Sequence, residues 1–494
     1  MPLDLTQLSS RALSWNHAMS ASPGDLDLRV PAARVEGTIP ESLRGGRMLS
    51  NGPGWTLIGE RLAHPFDGHG YVRSFAFAAD GSLELRARFV RTEVFVDERR
   101  AGRLVHRGFA TNISDHFWQN LGFSGKPRNV ANTTIYPWAG RLLAGWEGGV
   151  PYGLDPETLE TTGPQTFGGL LDGQISLAHV HRDAARGRAI VCSVKRGRGG
   201  VMTFRELDER GELVQQRVGA PPKAGFAHDF AFSDRWYVLG GNPLAFKPLE
   251  LAKAALGRST LLRAIKTDLD KPGTLVLISR DRQGETRVVQ LPKPAFVVHF
   301  VNAFEREREL VVDVCVFHRF EFGEEFGYRG PRETLDVTLP ELRGAQRMYR
   351  VTIPDGAAEA SWRQLAPHGI DFPRVHPEHE GRPTPYMVGA CRADTRFSDP
   401  FDSVIRVDLE DLSKAPELWT APEHVFVGEP VVAPGRDGEA DHVLALLSDG
   451  LRAHTTLAIF RADAIAEGPV AQVHLPLLPI AFHGDWEPAA APRN

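Results

Sequence analysis

The stretch LVVDVCVF, residues 310–317, is an apolar run rich in β-branched side chains, and similar runs recur along the chain. Further examples are YVRSFAFA (71–78), AIVCSV (189–194), WYVL (236–239), SVIRV (403–407) and HVLALL (442–447). Turn dipeptides stand between such runs: Asp80-Gly81, Arg210-Gly211, Asp355-Gly356, Asp437-Gly438 and Asp449-Gly450. Short apolar or alternating runs bounded by turn residues predict β-strands. The sequence therefore predicts an all-β protein.

The strands spread over nearly the whole chain, which favours one large unit over residues 1–494. A radial β-propeller is a common architecture at this length, because radial repetition leaves only short, protected strand edges. The 49 glycines and 36 prolines suit a turn-rich β protein. No repeat of the WD or kelch kind is present, so any blades have diverged in sequence.

The composition excludes several classes of protein. A formal net charge of −5 argues against a general nucleic-acid or anionic-membrane binder. The three cysteines lack CxxC spacing, which excludes a zinc ribbon or a thioredoxin motif. The N-terminus has no basic start followed by an apolar run, and no stretch reaches 18 apolar residues, so neither a secretory signal nor a membrane span is expected. We therefore expect a cytoplasmic protein.

The clearest helical pattern follows Pro248, over Leu249–Ile265 (LELAKAALGRSTLLRAI). One interpretation is a helix-bearing insertion that packs on the propeller. The alternative is a partly apolar lip that contacts a membrane or admits a lipophilic substrate. The sequence leaves both open, and peripheral membrane contact remains compatible with a cytoplasmic location.

Four of the 18 histidines lie in or beside apolar strand-like runs: His179, His228, His299 and His483. Strands from several blades, each placing one imidazole at its inner end, would bring these rings together on the propeller axis. Imidazoles without thiolates suit iron, zinc or copper better than magnesium or calcium. The spacing of the four histidines does not by itself define a metal site, since no local motif links them.

A set of short blocks makes the interpretation specific. They are EGTIPESLRGGRMLSNGPG (36–54), HPFDGHGYV (64–72), NVANT (129–133), WEGGVPYGLDPETLETTG (146–163), SLAH (176–179), AHDFAF (227–232), HFVNAFE (299–305), DFPRVHPEHEGRP (371–383), GEPVVAPG (428–435) and FHGDW (482–486). In these blocks, and in their order, the sequence resembles the carotenoid cleavage oxygenase family. The blocks span residues 36 to 486, almost the whole chain.

The resemblance implies a seven-bladed β-propeller with a helical cap over one face and one non-haem Fe(II) on the axis. By block matching, the iron ligands are His179, His228, His299 and His483. His181 is a local competitor of His179, which we prefer because the family ligand follows the small residue of the SLAH block.

The family also holds its histidines with carboxylates, and the matching residues are Glu147, Asp371 and Glu429, where Asp371 replaces the usual Glu. A carboxylate that accepts the outer N–H of an imidazole fixes its tautomer and compensates the metal charge. Thr133 matches a family threonine that crowds one coordination position and thereby confines O2 to the other. Its other interpretation is an ordinary strand threonine.

The implied reaction adds O2 across an electron-rich internal C=C bond of a lipophilic, conjugated carotenoid or apocarotenoid, giving two carbonyl products. Aromatic walls suit such a chain. The expected substrate contacts are Trp146, Phe226, Val298 and Phe95. Val298, Phe300 and His69 depart from the usual family residues, which affects the cavity more than the metal site.

Other functions remain open at this stage. Stilbene dioxygenases carry a Tyr and a Lys that bind a phenol, whereas this chain has Phe95 and Arg128 at the matching places, with Lys126 nearby. A propeller that only binds a partner, without catalysis, would be favoured by loss of one of the four histidines, and all four are present. A calcium- or zinc-dependent propeller hydrolase would lack iron and O2 dependence.

Overall fold

Seven antiparallel sheets of four to six strands, the blades of a β-propeller, make up most of the protein. The computed structural model describes residues 9–121, 128–195, 200–220, 227–268, 270–318, 346–397, 400–436 and 438–489. Within these residues the predicted all-β, seven-bladed architecture is confirmed.

Blades 2 to 6 each contain four strands in chain order, from the propeller axis outward. The strands are Thr134–Trp138, Arg141–Gly145, Tyr152–Leu154 and Thr161–Pro164 in blade 2; Gln174–Asp183, Arg188–Lys195, Val201–Leu207 and Leu213–Gly219 in blade 3; Phe230–Phe232, Trp236–Gly241, Thr274–Ser279 and Thr286–Gln290 in blade 4; Phe296–Arg306, Glu309–Phe317, Gln346–Pro354 and Ser361–Gln364 in blade 5; and Ile370–Arg374, Tyr386–Cys391, Ser403–Asp408 and Glu417–Thr420 in blade 6.

Blades 1 and 7 combine strands from both ends of the chain. From the axis outward, blade 1 contains His483–Glu487, Arg47–Asn51, His69–Phe77, Leu83–Phe89 and Leu26–Val30, with Pro53–Trp55 beside His69–Phe77; blade 7 contains Val425–Val427 and Val431–Ala433, then His442–Asp449, His454–Arg461, Ala471–Pro476 and Glu36–Gly37.

Two strand exchanges close the ring. His483–Glu487 pairs with Arg47–Asn51, so a late segment supplies the inner strand of the first blade. Glu36–Gly37 pairs with Ala471–Pro476, so an early segment supplies the outer edge of the last blade. Each exchange satisfies strand edges that would otherwise be left open.

Apolar layers fill the spaces between neighbouring blades. The strand that carries LVVDVCVF is buried along nearly its whole length, because blade 5 packs on blade 4 through one face and on blade 6 through the other. This burial on both faces explains why the run is apolar on both sides rather than alternating, apart from Asp313, which pairs with Arg350.

A buried ion cluster links blades 3 and 4. The guanidinium of Arg280, 1% exposed, donates through Nη2 to Asp183 Oδ2 and Glu206 Oε1, each at 2.7 Å. Its Nη1 donates to the backbone oxygen of Ser233 at 2.6 Å. The cation is therefore compensated by two carboxylates of the neighbouring blade.

Helices and short ribbons lie outside the blades. The helices are α1 (Ser10–Ser20), α2 (Glu93–Ala101), α3 (Pro248–Ala255) and α4 (Leu261–Ala264), and the two-stranded ribbons are Leu57–Ile58 with Arg61–Leu62 and Leu244–Phe246 with Ile265–Thr267. Arg107 contacts α3 and the turn that follows it. Its Nη2 donates to the backbone oxygens of Ala254 and Ser259 at 2.8 and 2.6 Å.

The helical segment predicted over Leu249–Ile265 is two helices rather than one. Gly257 separates α3 from α4 and has φ +71°, a left-handed conformation that ends a helix and favours glycine. In the described part of the chain, no helix is long and apolar enough to cross a membrane.

Candidate metal centre

Four imidazoles meet where inner strands of four blades approach the axis. They belong to His179 in blade 3, His228 just before blade 4, His299 in blade 5 and His483 in blade 1. One ring nitrogen of each lies within 4.8 Å of the others. The structure thus brings together all four histidines that the sequence singled out.

The spacing of the ring nitrogens suits a common central ion. Nε2 of His228 lies 3.1 Å from Nε2 of His179 and 3.2 Å from Nε2 of His299. Two imidazole nitrogens bound at right angles to one metal, each about 2.1 Å away, lie about 3 Å apart. The cluster therefore has the dimensions of a metal site.

Carboxylates contact the opposite nitrogens of three rings. Nδ1 of His299 lies 2.6 Å from Asp371 Oδ1, and Nδ1 of His483 lies 2.9 Å from Glu429 Oε1. Nδ1 of His228 lies 2.6 Å from Glu147 Oε1. These carboxylates come from blades 6, 7 and 2, which supply none of the four imidazoles.

The donor set fits a cation. Where Nδ1–H faces a carboxylate, the neutral ring presents a lone pair at Nε2. Nε2 atoms of His228 and His299 face one another at 3.2 Å. A central cation would accept a lone pair from each of these nitrogens, and the carboxylates would fix the ligand tautomers.

The local environment favours a neutral imidazole at His179 and an ionised carboxylate at Glu429. Burial, together with the charges of the other three rings, holds the pKa of His179 well below its ordinary value. Burial raises the pKa of Glu429, but Arg374 and His483 outweigh it and hold that pKa at about 2. A neutral imidazole and an ionised carboxylate are the forms that bind and support a metal ligand.

Arg374 positions Glu429. Its guanidinium donates to both carboxylate oxygens, at 3.1 and 3.0 Å, and the backbone N–H of Gly484 donates to Oε2 at 2.6 Å. This arginine is not among the residues expected from the sequence, although it stands three residues after Asp371 in the DFPRVHP block.

The Asp371 contact requires an irregular strand. The pairing register of Ile370–Arg374 shifts between Asp371 and Arg374, and Phe372 has φ +51°. A bulky residue in the left-handed region is strained. The ring of Phe372 packs 5.6 Å from that of His299 and 5.3 Å from that of His483.

Thr133 and Trp146 lie beside the Glu147 carboxylate. The Thr133 hydroxyl lies 3.3 Å from Glu147 Oε2 and 3.2 Å from Asn132 Oδ1. Trp146 precedes Glu147, and a Cβ on Gly148 would collide with its ring. Thr133 is therefore close to the carboxylate behind His228, and the Trp146 ring lies against Gly148.

The other expected substrate contacts are dispersed. Val298 packs with Phe296, Phe317 and Leu244, so it lies under the ribbon that carries α3 and α4. Phe226 lies outside the described residues.

Phe95 lies in α2, 8% exposed, against the rings of Trp55, His69 and Phe89. His69 is fully buried and contacts Glu98, Nε2 to Oε2, at 2.8 Å.

Asp229 and His181 form a further pair beside the cluster. This pairing was not expected from the sequence. His181 Nε2 lies 2.8 Å from Asp229 Oδ1. Burial lowers the pKa of His181, but Asp229 and Glu380 outweigh it and raise that pKa to about 10. The position of Asp229, directly after His228, was the available signal.

Comparison with known proteins identifies the family. The model of the retinal pigment epithelial membrane protein family matches residues 22–488. The chain belongs to this family, the carotenoid cleavage oxygenases, and is an oxygenase.

Similar proteins match over nearly the full length. The apocarotenoid-15,15'-oxygenase of Synechocystis is 31% identical over 97% of each chain. Carotenoid cleavage dioxygenase 7 of Oryza sativa is 30% identical over 92% of this chain and 88% of its own. The structure of cobalt-substituted Synechocystis apocarotenoid oxygenase superimposes with a TM-score of 0.87, at 30% identity, covering 97% of this chain and 99% of the other.

Proposed function

We propose that the protein binds one Fe(II) per chain through His179, His228, His299 and His483. The observation that carries this proposal is the convergence of four imidazoles within 4.8 Å, three with a carboxylate behind them. Four protein ligands leave up to two positions open on a six-coordinate iron, whereas a closed tetrahedral zinc site leaves none. Glu147, Asp371 and Glu429 hold the ligand rings in place.

The proposed reaction is cleavage of one internal C=C bond of a carotenoid or apocarotenoid. When bound, the iron supplies the site at which O2 is activated. The C=C bond breaks, and each former alkene carbon receives one oxygen atom of O2, so the products are two carbonyl compounds. No side chain needs to transfer a proton in this balance, and the protein's own residues position the ligands and the substrate.

The accessible side of the cluster supports a direction of approach. The side chains of His179 and His228 are 12% and 16% exposed, whereas those of His299 and His483 are 7% and 5% exposed. We infer that substrate and O2 approach past His179 and His228. Thr133 narrows one of the two open coordination positions on this side.

The substrate contacts that we propose are Trp146, Phe226, Val298 and Phe95. Trp146 adjoins the carboxylate that contacts His228, and Phe226 is two residues before His228 in the chain. A flat conjugated substrate is well matched by such aromatic walls.

The residues at two positions favour an apocarotenoid over a hydroxystilbene as the substrate. Phe95 has no hydroxyl to bond a phenol. The Arg128 guanidinium donates to both carboxylate oxygens of Glu98, at 2.5 and 2.9 Å, so its charge is already compensated. We therefore propose that apocarotenals have the higher kcat/KM.

The experiment is aerobic incubation of the iron-loaded protein with apocarotenals, carotenes and 4-hydroxystilbenes under ¹⁸O2, with mass spectrometry of the products. We expect two labelled carbonyl fragments from an apocarotenal and about one iron per chain. His483→Ala is the matched control without activity. A comparable or greater kcat/KM on a hydroxystilbene overturns the substrate class alone, whereas cleavage without O2 or iron overturns the reaction.

We further propose that the protein is cytoplasmic and docks on a membrane through the segment around α3 and α4, with residues 1–494 acting as one domain. Exposed apolar side chains, here called the apolar lip, support this: Trp118, Leu121, Phe246, Leu249, Leu251 and Leu256. Leu249 is 68% exposed, and the backbone oxygen of Gly257 accepts from Asn120 Nδ2 at 3.0 Å, which ties the two parts of the lip together.

Basic residues accompany the lip, namely Lys247, Lys253, Arg258, Arg263 and Lys266. Lys253 already pairs with Glu250 at 2.7 Å. The other four give this segment a local positive charge that, in contrast to the net charge of −5 of the whole chain, suits an anionic lipid surface. We expect the protein to co-sediment with anionic vesicles and Leu249→Asp/Leu256→Asp to lose this binding. The control Val214→Asp/Val288→Asp changes exposed apolar residues on outer strands and should retain it. Equal sedimentation of both variants overturns the assignment of the lip.

A further inference from the structure

One ligand of the candidate metal centre is held differently from the other three. His228, His299 and His483 each have a carboxylate oxygen within 2.9 Å of Nδ1. The carboxylate that faces Nδ1 of His179 belongs to Asp229, and its Oδ1 is 3.7 Å away. This distance is too long for a direct hydrogen bond. His179 is therefore positioned by other contacts.

Asp229 makes three strong hydrogen bonds of its own. Oδ1 accepts from the backbone N–H of Phe230 at 2.7 Å and lies 2.8 Å from His181 Nε2. Oδ2 accepts from the backbone N–H of Phe300 at 2.9 Å. The residue is 4% exposed, so water competes little for these contacts.

These partners connect three blades at the level of the imidazoles. Asp229 follows His228 directly in the chain, and the Phe300 N–H belongs to the residue after His299. His181 is two residues after His179 on the inner strand of blade 3. One carboxylate therefore fixes the backbone beside two ligands and the strand that carries a third.

The three donors also explain why a carboxylate is required at this place. An aspartate offers acceptor sites on both oxygens. An asparagine amide offers only one acceptor oxygen, and its NH2 group would face either the Phe300 N–H or the donors at Oδ1. A buried N–H would then lose its partner, and the blades would separate locally.

We propose that Asp229 is a positioning residue that sets the relative placement of His179, His228 and His299, with His181 as its partner. This inference rests on the proposed metal-binding function. Its role differs from that of Glu147, Asp371 and Glu429, because Asp229 acts through the backbone and through His181 rather than by a direct contact with a ligand nitrogen.

The test uses the metal-free full-length protein and cobalt(II) as the probe, so that it is independent of turnover. We expect Asp229→Asn to lower cobalt(II) affinity by about 10- to 100-fold, the range for partners of metal ligands, and to shift the visible absorption bands of the complex. Asp313→Asn is the matched control. Asp313 is also a fully buried aspartate, in blade 5, and both its oxygens accept from Arg350 at 2.8 Å. This control should change the unfolding midpoint but not the cobalt spectrum.

A second variant covers the case in which Asp229→Asn does not fold. His181→Gln leaves the carboxylate in place and removes its imidazole partner, and we expect several-fold weaker cobalt binding with shifted bands. Wild-type affinity and spectrum in the folded variants overturn the proposal and leave the proposed metal centre intact. Failure of the wild-type protein to bind cobalt(II) or iron(II) overturns both.

Discussion

Oδ1 of Asp371 lies 2.6 Å from Nδ1 of His299, so this aspartate contacts the imidazole directly. An aspartate is one methylene shorter than the glutamate usual in the family. The strand is irregular at this place, with a register shift between Asp371 and Arg374 and a left-handed Phe372. No bridging water is needed at this distance.

We predict that Asp371→Asn weakens iron binding or turnover by about 10- to 100-fold, because the carboxylate that orients the His299 ring and raises the basicity of its Nε2 is lost. Asp371→Glu should be tolerated, since the strand can relax around the longer side chain. Metal titration and initial rates measure both effects. Wild-type iron content and rate in Asp371→Ala would show that three carboxylates are not needed.

Replacement of any one of His179, His228, His299 or His483 by Ala removes a ligand. We predict a loss of metal affinity larger than about 100-fold, beyond the effect of losing an outer partner, and loss of activity. Metal analysis of the purified variants measures this. The control is His474→Ala, since the His474 side chain is 45% exposed in blade 7.

A comparison of two alanine variants decides whether His179 or His181 is the metal ligand. Retention of metal and turnover by His179→Ala, with loss of both in His181→Ala, would make His181 the ligand.

Arg280→Met should destabilise the fold by about 3 kcal/mol, because it removes the buried cation between Asp183 and Glu206. Arg188, 2.6 Å from the other oxygen of Glu206, keeps part of the charge compensated. Urea unfolding followed by circular dichroism measures this. Arg29→Met is the control. Arg29 is 56% exposed and pairs with Asp80 at 2.7 Å, and we expect a change below about 1 kcal/mol. Equal effects of the two substitutions would contradict the prediction.

His64 predicts a specific pH dependence. Burial lowers its pKa to about 3. The unfolded chain therefore takes up this proton first as the pH falls, and the unfolding free energy decreases by up to about 1.4 kcal/mol per pH unit between about pH 6.5 and 3. The neutral His64 ring makes its full contribution to the unfolding free energy only above the pKa that this histidine has in the unfolded chain, about 6.5.

The matched variant is His64→Asn, because Nδ1 of His64 accepts from the Phe66 N–H at 3.1 Å and an amide oxygen can do the same. From pH 7 to pH 5 the wild type should lose about 2 kcal/mol more than this variant. Urea titrations at the two pH values provide the comparison, and parallel losses would assign the acid sensitivity to other groups.

The sequence was sufficient for the architecture and the imidazole cluster. Alternating and apolar runs predict strands from local chemistry alone, as in residues 71–78, and the ordered blocks placed the four histidines. The local pattern over Leu249–Ile265 did not reveal the break at Gly257, because apolar spacing continues through it.

The partners of the cluster were harder to predict, because they depend on contacts between blades. Asp229 bonds to a backbone N–H 71 residues away, and Arg374 to a carboxylate 55 residues away. The adjacency of Asp229 to His228 is visible in the sequence, but these long-range partners are not. The positive φ of Phe372 is likewise invisible there, since a phenylalanine rarely adopts it.

The strand exchange that closes the ring also sets the order of assembly. His483 begins the strand that pairs with Arg47–Asn51, so the fourth imidazole arrives only with the final inner strand. During synthesis, a nascent chain that ends before this strand offers at most three of the four nitrogens. Under the proposed metal-binding function, four-histidine coordination therefore requires closure of the ring, and a product truncated before this strand should fail to retain the ion.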